Sequence, residues 1–192
     1  MTGGIAAGKS EALAAFARLG AATLSSDAVV HELLDDPEVR DRLLARWGGE
    51  VIAHGAIDRG RVGAIVFHSA DELAWLESML HPLVGERVAE WRTELGPRAQ
   101  LAVVEVPLLF ETAMEDAFDA TIAVVADDEK RASRAGLRGT DLLEARSDRQ
   151  LPQAEKSARA DHVITNDGSL EELERQVSEL VALLARPSGE LR

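Results

Sequence analysis

The stretch Gly3-Gly4-Ile5-Ala6-Ala7-Gly8-Lys9-Ser10 decides the fold of this chain, because it fits the pattern Gly-x-x-x-x-Gly-Lys-Ser/Thr. The glycines at both ends free the backbone, so that successive N–H groups can surround the oxygens of a phosphate. Lysine is long enough to reach the β- and γ-phosphates of a nucleotide, and the serine hydroxyl can bind Mg²⁺. The helix expected to begin here adds its positive end to the anion site. The stretch therefore predicts a phosphate-binding loop.

The composition limits the partners of the chain. Of its 192 residues, 46% are hydrophobic and 29% charged, which is typical of a globular domain. A net charge of −13 argues against nucleic acid or an anionic membrane as a partner, and the chain has no apolar run long enough to span a membrane. Cysteine is absent, which suits the cytoplasm. We therefore expect a cytoplasmic protein with a small-molecule substrate, present as a monomer or weak homo-oligomer.

Apolar segments alternate with helical patterns along the chain. Continuous apolar runs at 101–106 and 120–126 predict buried strands, and shorter strands are expected at 21–26 and 162–165. Such runs suit a parallel sheet that helices cover on both faces. Together with the phosphate-binding loop, the alternation predicts a P-loop α/β fold in a single domain, residues 1–192.

Two segments do not fit a simple alternation of strands and helices. Residues 28–95 are predicted to be almost entirely helical, with a break at His81-Pro82, and they are too long for a simple crossover. We interpret them as a helical substrate-binding insert. Eight of the 21 basic residues lie in the segment 130–159, which we interpret as a phosphate clamp, although a solvated charged face is the plainer alternative.

The N-terminus conflicts with the loop motif. Only Met1 and Thr2 precede the first glycine, whereas a phosphate-binding loop normally follows a buried strand. We therefore expect the first central strand to be missing and the native chain to begin several residues upstream. The intact mass of the natively expressed protein tests this expectation.

Two acidic residues follow predicted strands, where ligands bind in open α/β sheets. Asp27 stands at the end of the strand at 21–26 and can act as a base, as a helix cap, or as both. Glu105 ends the strand at 101–106. It can bind a water of Mg²⁺, or it can be a buried carboxylate that is hydrogen-bonded to the loop, and the sequence leaves both alternatives open.

Further landmarks follow the loop in order along nearly the whole chain. They include His81-Pro82, Pro107-Leu108-Leu109-Phe110-Glu111 after a strand, and Asn166-Asp167-Gly168 near the end. With Thr2–Ser10, this ordered set resembles the dephospho-CoA kinase family. The resemblance implies a parallel sheet flanked by helices, like that of the nucleoside monophosphate kinases. It also implies that ATP, with Mg²⁺, phosphorylates the ribose 3′-hydroxyl of dephospho-CoA to give coenzyme A and ADP, the last step of coenzyme A biosynthesis.

The resemblance also implies roles for individual residues. Those of the chemical step are Lys9, Asp27 and Arg146. Asp27 would accept or orient the hydroxyl proton, and Arg146 would belong to a lid formed by about residues 130–159. The metal would lie near Ser10 and Glu105. The residues implied for dephospho-CoA are Asp27, Arg59, His81, Leu108 and Glu111. The residues implied for ATP are Gly4, Ile5, Ala6, Ala7, Gly8, Lys9, Ser10, Glu11, Arg134, Arg138 and Asn166.

Several alternatives remain open from the residues alone. Arg59 can pair with Glu111 or contact a substrate phosphate, and Leu108 can line a pocket or simply pack. Asn166 follows the last strand, where a contact with the adenine base is plausible. For the whole chain, the alternatives are another P-loop small-molecule kinase and a nucleotide-binding paralogue without catalysis.

Overall fold

The computed structural model describes residues 1–96, 99–136 and 149–185 of the chain. It divides into two compact units, one formed by Met1–Ser25 with Leu95–Arg192 and the other by Ser26–Glu94. No helix in the described part of the chain is long and apolar enough to cross a membrane. The predicted lid arginines Arg138 and Arg146 lie outside the described residues.

Strands and helices alternate as an α/β fold requires. In chain order they are β1 (Thr2–Gly3), α1 (Lys9–Arg18), β2 (Ala22–Ser25), α2 (Ser26–Leu34), α3 (Pro37–Trp47), β3 (Ile52–Ala53), β4 (Ala56–Ile57), α4 (Arg59–His68), α5 (Ala70–Leu95), β5 (Ala102–Glu105), β6 (Ile122–Val125), α6 (Asp128–Gly136), α7 (Gln153–Arg159), β7 (His162–Thr165) and α8 (Leu170–Leu184). The first unit contains the parallel strands, and the second contains four of the helices and the β3–β4 hairpin.

The strands of the first unit are parallel. Strand β2 pairs with β5, β1 pairs with β6, and β6 pairs with β7. Met1 joins the two groups, because its amino group donates to the carbonyl oxygen of Val104 at 2.7 Å and its own carbonyl accepts from Val106 N–H at 2.9 Å. The resulting order across the sheet is β2, β5, β1, β6 and β7.

The expectation that the first central strand is missing is therefore wrong in part. The segment Met1–Gly3 occupies the central position, with Thr2 opposite Ala123 and Gly3 opposite Val124. The strand is only two residues long by its ladder, and Met1 extends it by its bonds to β5. The sequence pattern missed it because two residues are too few to show the periodicity of a strand.

Helices cover both faces of this sheet. On one face, α1 contributes Phe16 and α8 contributes Leu173 to a core that also contains the Met1 side chain, Val124 and Ile164. Successive side chains of a strand point to opposite faces, so the Thr2 side chain points away from this core. Its hydroxyl lies 3.3 Å from Lys156 Nζ on α7, which places α7 on the other face.

The second unit corrects the predicted break at His81-Pro82. Helix α5 runs without interruption from Ala70 to Leu95, with Pro82 inside it. Proline in a helix interior loses one backbone hydrogen bond and costs about 3 kcal/mol. The side chains of Leu76, Met79 and Leu80, on the turns before it, are all buried. Burial of such side chains contributes about 1.5–3 kcal/mol each, which offsets the cost of the proline.

Side-chain caps begin two helices of this unit. Asp36 precedes Pro37 and its carboxylate accepts from the N–H groups of Glu38 and Val39 at the start of α3, and Asp58 caps α4 in the same way. Helix α2 begins at Ser26, so Asp27 lies in its first turn instead of at the predicted cap position. A carboxylate there interacts favourably with the helix dipole.

The buried N-terminus makes stability depend on pH. Burial lowers the pKa of the Met1 ammonium to about 6 from 8.0, against the opposing effect of the Glu105 carboxylate. Between these values the unfolded chain binds more protons than the folded chain, so stability rises with pH. We expect this group to contribute a rise of about 2 kcal/mol in the free energy of unfolding from pH 6 to pH 8, measured with urea.

The matched control carries five apolar residues before Met1. An amide then replaces the ammonium at this position, so the contribution of this group to the pH dependence should disappear while that of every other group stays. Equal pH dependence of the two proteins would contradict the assignment.

Candidate active site

The phosphate-binding loop ends in a backbone conformation that favours glycine. Gly8 has φ +97°, in the left-handed region, and it immediately precedes the ten-residue helix α1. The free N–H groups and the dipole of α1 therefore face outward from the loop at its N-terminus, as an anion site requires. Lys9 Nζ donates to the carbonyl oxygens of Gly3 at 3.1 Å and Gly4 at 3.0 Å, so the ammonium is held against the loop itself.

The last strand supplies a second support for the loop. Asn166 follows β7, and its side-chain Nδ2 donates to the carbonyl oxygen of Ala7 at 2.9 Å. A Cβ atom on Gly8 would lie 1.9 Å from the same nitrogen. The loop and the end of β7 are therefore in direct contact, and only glycine fits at position 8.

Two arginines of α6 reach the loop and the cleft beside it. Arg131 Nε donates to the Ile5 carbonyl at 3.0 Å, while its Nη1 pairs with Asp128 at 2.8 Å. Arg134 Nη2 donates to the Asn166 carbonyl at 3.2 Å, and its Nη1 is buried without a hydrogen-bond partner in the described part of the structure. A buried guanidinium donor without a partner is costly unless a ligand satisfies it.

These groups line one cleft of about 440 Å³. Its walls combine the start of α1, the guanidinium of Arg134 and the turn after β7, so two cations and a helix N-terminus lie beside the Glu11 carboxylate. A volume of this size is within the usual range of small-molecule sites. The residues that line it are Ala6, Gly8, Lys9, Ser10, Glu11, Arg134, Asn166, Gly168 and Leu170.

A buried ion pair lies next to the loop strand. Lys156 is fully buried, and its Nζ lies 2.8 Å from Glu111 Oε1 and 2.8 Å from the carbonyl oxygen of Pro107. Burial lowers the pKa of Lys156, and the Glu111 carboxylate opposes the shift. Glu111 Oε1 also accepts from the N–H of Leu151 at 2.7 Å. The pair therefore fixes the segment after β5 to α7 and, through the Thr2 hydroxyl, to β1.

This geometry is chemically suited to a polyphosphate. Helix N–H groups, a lysine held at the loop and a guanidinium with a free donor are the groups that neutralise and orient phosphoryl oxygens. The comparisons agree: the family model for dephospho-CoA kinase matches residues 1–172. The chain belongs to the dephospho-CoA kinase family. It is thus a kinase of the final step of coenzyme A biosynthesis.

Individual relatives match the kinase over nearly their whole length. The dephospho-CoA kinase of Helicobacter pylori strain J99 is 32% identical, over 96% of this chain and 95% of the relative. That of Chlorobaculum tepidum is 36% identical, over 94% and 91%. Among solved structures, TT1252 from Thermus thermophilus has 34% identity and a TM-score of 0.79, covering 95% of each chain. The dephospho-CoA kinase from Campylobacter jejuni has 26% identity and a TM-score of 0.70, covering 96% and 94%.

The residues predicted from the sequence fall into separate groups in the structure. Within the first unit, Glu105 is buried at the end of β5, and Leu108 is half-buried. Glu111 is paired with Lys156, whereas pairing with Glu111 was one of the two alternatives left open for Arg59. Three predicted residues belong to the second unit and have exposed side chains: Asp27, Arg59 and His81.

The sequence reasoning missed Lys156 and Arg131. Both lie in the basic segment 130–159, where they were counted with the residues that clamp phosphate. The available signal was Glu111, because a carboxylate in an apolar Pro-Leu-Leu-Phe-Glu segment needs a buried cation. Nothing in the sequence shows which basic residue that cation is.

We expect Lys156→Met to lower the free energy of unfolding by about 3–5 kcal/mol, because it leaves the Glu111 carboxylate buried beside one N–H donor. Urea denaturation measures this loss. The double variant Lys156→Met with Glu111→Gln should be more stable than Lys156→Met alone, since no uncompensated charge remains. Additive losses in the double variant would show that the two residues do not form a coupled pair.

Proposed function

We propose that the cleft beside the phosphate-binding loop binds ATP and delivers its γ-phosphoryl group to the ribose 3′-hydroxyl of dephospho-CoA. The observation that carries this proposal is the joint placement of three features in one cleft. They are the left-handed Gly8 before α1, Lys9 at the loop, and the buried Arg134 Nη1, which has no hydrogen-bond partner among the described residues. Phosphoryl transfer depends on such positioning and charge neutralisation more than on covalent chemistry.

Binding of the ATP phosphates falls to the loop and its flanking side chains. The backbone N–H groups from Gly4 to Ser10 would donate to phosphoryl oxygens, and Lys9 would turn from the Gly3 and Gly4 carbonyls towards them. Arg134 Nη1, which has no acceptor within the described part of the chain, would donate to them as well. Each contact to an anionic oxygen is a charge-assisted hydrogen bond.

A magnesium ion fits the same cleft. Ser10 lines it, while Glu105 is buried at the carboxyl end of β5. Among the described residues there is no group of three or more side chains that could hold a metal. That suits Mg²⁺, which usually keeps several waters and binds through one or two protein groups and the substrate phosphates. When bound, the ion would neutralise charge on the β- and γ-phosphates.

Asp27 is the residue that we assign to the hydroxyl group that accepts the phosphoryl group. We propose that its exposed carboxylate in the first turn of α2 accepts or orients the proton of the ribose hydroxyl. Arg59 and His81 of the second unit would bind dephospho-CoA, as would Leu108 and Glu111 of the first. The helical unit Ser26–Glu94 is then the substrate-binding part of the kinase.

We further propose that Arg138 and Arg146 close over the transferring phosphoryl group as part of a lid at 130–159. An arginine that stabilises the transition state contributes ~10³–10⁵ in rate, and closure excludes the water that would hydrolyse ATP. The absence of cysteine suits action in the cytoplasm, and we place the kinase there as a monomer or weak homo-oligomer.

We expect Asp27→Ala to lose nearly all coenzyme A formation while ATP affinity stays within about twofold, because the carboxylate acts on the acceptor hydroxyl. A coupled assay of ADP release with dephospho-CoA as acceptor measures turnover, and calorimetry measures ATP binding. Asp35→Ala, which changes another exposed aspartate beside α2, is the matched control and should keep full activity. Near-normal turnover of Asp27→Ala would refute the assigned base.

Lys9→Ala should weaken ATP binding sharply, by about tenfold or more, since an ammonium held at the loop is lost. Calorimetric titration with ATP checks this expectation, with Arg92→Ala on α5 as a control for the loss of an exposed cation that does not line the cleft. Unchanged ATP affinity would remove the loop from the proposed site. Turnover of another acceptor, with none of dephospho-CoA, would instead favour a different small-molecule kinase.

A further inference from the structure

We propose that Asn166 is a positioning residue of the phosphate-binding loop, which acts on the loop backbone and not on the adenine base. The inference rests on the proposed phosphate site, because it names the group that holds that site in shape. It replaces the base contact that the position of Asn166 after β7 suggests from sequence alone.

The backbone of Asn166 is held in place by hydrogen bonds, and its side chain reaches the loop from there. Its backbone N–H donates to the Val125 carbonyl at 2.8 Å, which continues the pairing of β7 with β6. Its own carbonyl accepts from Arg134 Nη2 at 3.2 Å. With both ends of its backbone bonded, the Nδ2 donor stands at a defined place 2.9 Å from the Ala7 carbonyl oxygen.

This single bond orients a peptide group that matters for phosphate. The peptide between Ala7 and Gly8 is planar and trans, so its carbonyl and its N–H point in opposite directions. Asn166 holds the Ala7 carbonyl oxygen on its own side, and the Gly8 N–H is thereby turned the other way. A carbonyl oxygen rotated towards a phosphate would repel it, whereas an N–H binds it.

The shape of the loop agrees with this role. A Cβ on Gly8 would lie 1.9 Å from Asn166 Nδ2, closer than any real contact, so the loop closes around the amide. Gly8 also has φ +97°, which a residue with a side chain rarely adopts. Gly8 therefore leaves the space that the Asn166 amide occupies, and this contact lies immediately before the start of α1.

Burial argues against a contact with the base. Asn166 is 8% exposed, so little of its surface is open to an adenine ring. Leu170, which also lines the cleft, is 61% exposed and offers an apolar surface that a ring can cover. Asn166 thus supports the loop, while Leu170 provides an open apolar wall of the cleft.

The test compares ATP with inorganic tripolyphosphate, which has no base. By calorimetry, Asn166→Ala should weaken binding of both by the same factor, about five- to thirtyfold, since the Ala7 carbonyl loses a buried donor. In the kinase assay the KM for ATP should rise while the KM for dephospho-CoA stays within about twofold. A loss confined to ATP would show a base contact and overturn the proposal, as would unchanged affinity for both.

A second variant gives a readout that a merely structural role would not move. Asn166→Asp puts a carboxylate against the Ala7 carbonyl, so at pH 8 it should weaken tripolyphosphate binding more than Asn166→Ala does. Burial beside a carbonyl oxygen disfavours the ionised carboxylate and raises its pKa, so at pH 5.5 a larger fraction of it carries a proton and can donate, and the deficit relative to wild type at the same pH should shrink for Asn166→Asp alone. The same deficit at both pH values would contradict the proposal.

Two controls separate this inference from the proposed function. Gln176→Ala removes an amide that makes two hydrogen bonds to Thr165, the residue before Asn166, without touching the loop. It should leave both affinities unchanged, and equal losses would show general damage to β7. Lys9→Ala should weaken tripolyphosphate binding by about tenfold or more; unchanged affinity would remove the proposed phosphate site, independently of Asn166. Thermal unfolding of each variant confirms that binding is measured on folded protein.

Discussion

The two hydrogen bonds of Met1 to β5 hold the first unit together. The Met1–Gly3 segment lies between β5 on one side and β6 on the other. These three residues therefore join the two groups of strands into one sheet. Backbone donors and acceptors at the centre of a sheet cannot be left without partners, and a short segment therefore has to be placed accurately. The Met1 side chain, buried in the core under α1, supplies the apolar contact that holds it there.

The position of the phosphate-binding loop follows from that segment. Because β1 is so short, packing of the strand alone contributes little to fixing Gly3 and Gly4. Hydrogen bonds from other elements take over: Lys156 reaches the Thr2 hydroxyl from α7, Arg131 reaches Ile5 from α6, and Asn166 reaches Ala7 from the end of β7. Hydrogen bonds from three different elements thus hold β1 and the loop. They limit the movement of the loop backbone in the absence of a ligand. Preorganised donors of this kind need little rearrangement on binding.

The parts of the fold that the sequence predicted are those whose signal is local. A local pattern predicts its own conformation, as the continuous apolar runs at β5 and β6 do for strands and the glycine-lysine-serine pattern does for the loop. Pro82 misled because helix propensity is a weak prior, and the burial of Leu76, Met79 and Leu80 overrides it. The Lys156–Glu111 pair could not be read at all, since its members are far apart in sequence and only the packing of α7 brings them together. The same holds for Asn166, whose partner is an ordinary backbone carbonyl.

Charge adds a final constraint on the site. With a net charge of −13, the field of the whole protein opposes an anionic nucleotide, so the cleft has to attract phosphate by short-range groups. Several basic side chains near it already face a carboxylate: Lys156 pairs with Glu111, Arg131 with Asp128, and Arg18 with Glu11. Arg134, whose Nη1 is buried without a partner among the described residues, lines the cleft together with the start of α1, where Glu11 adds a carboxylate. In the proposed site, the N–H groups at the start of α1 and the Arg134 guanidinium therefore act at short range against both the net charge and the Glu11 carboxylate.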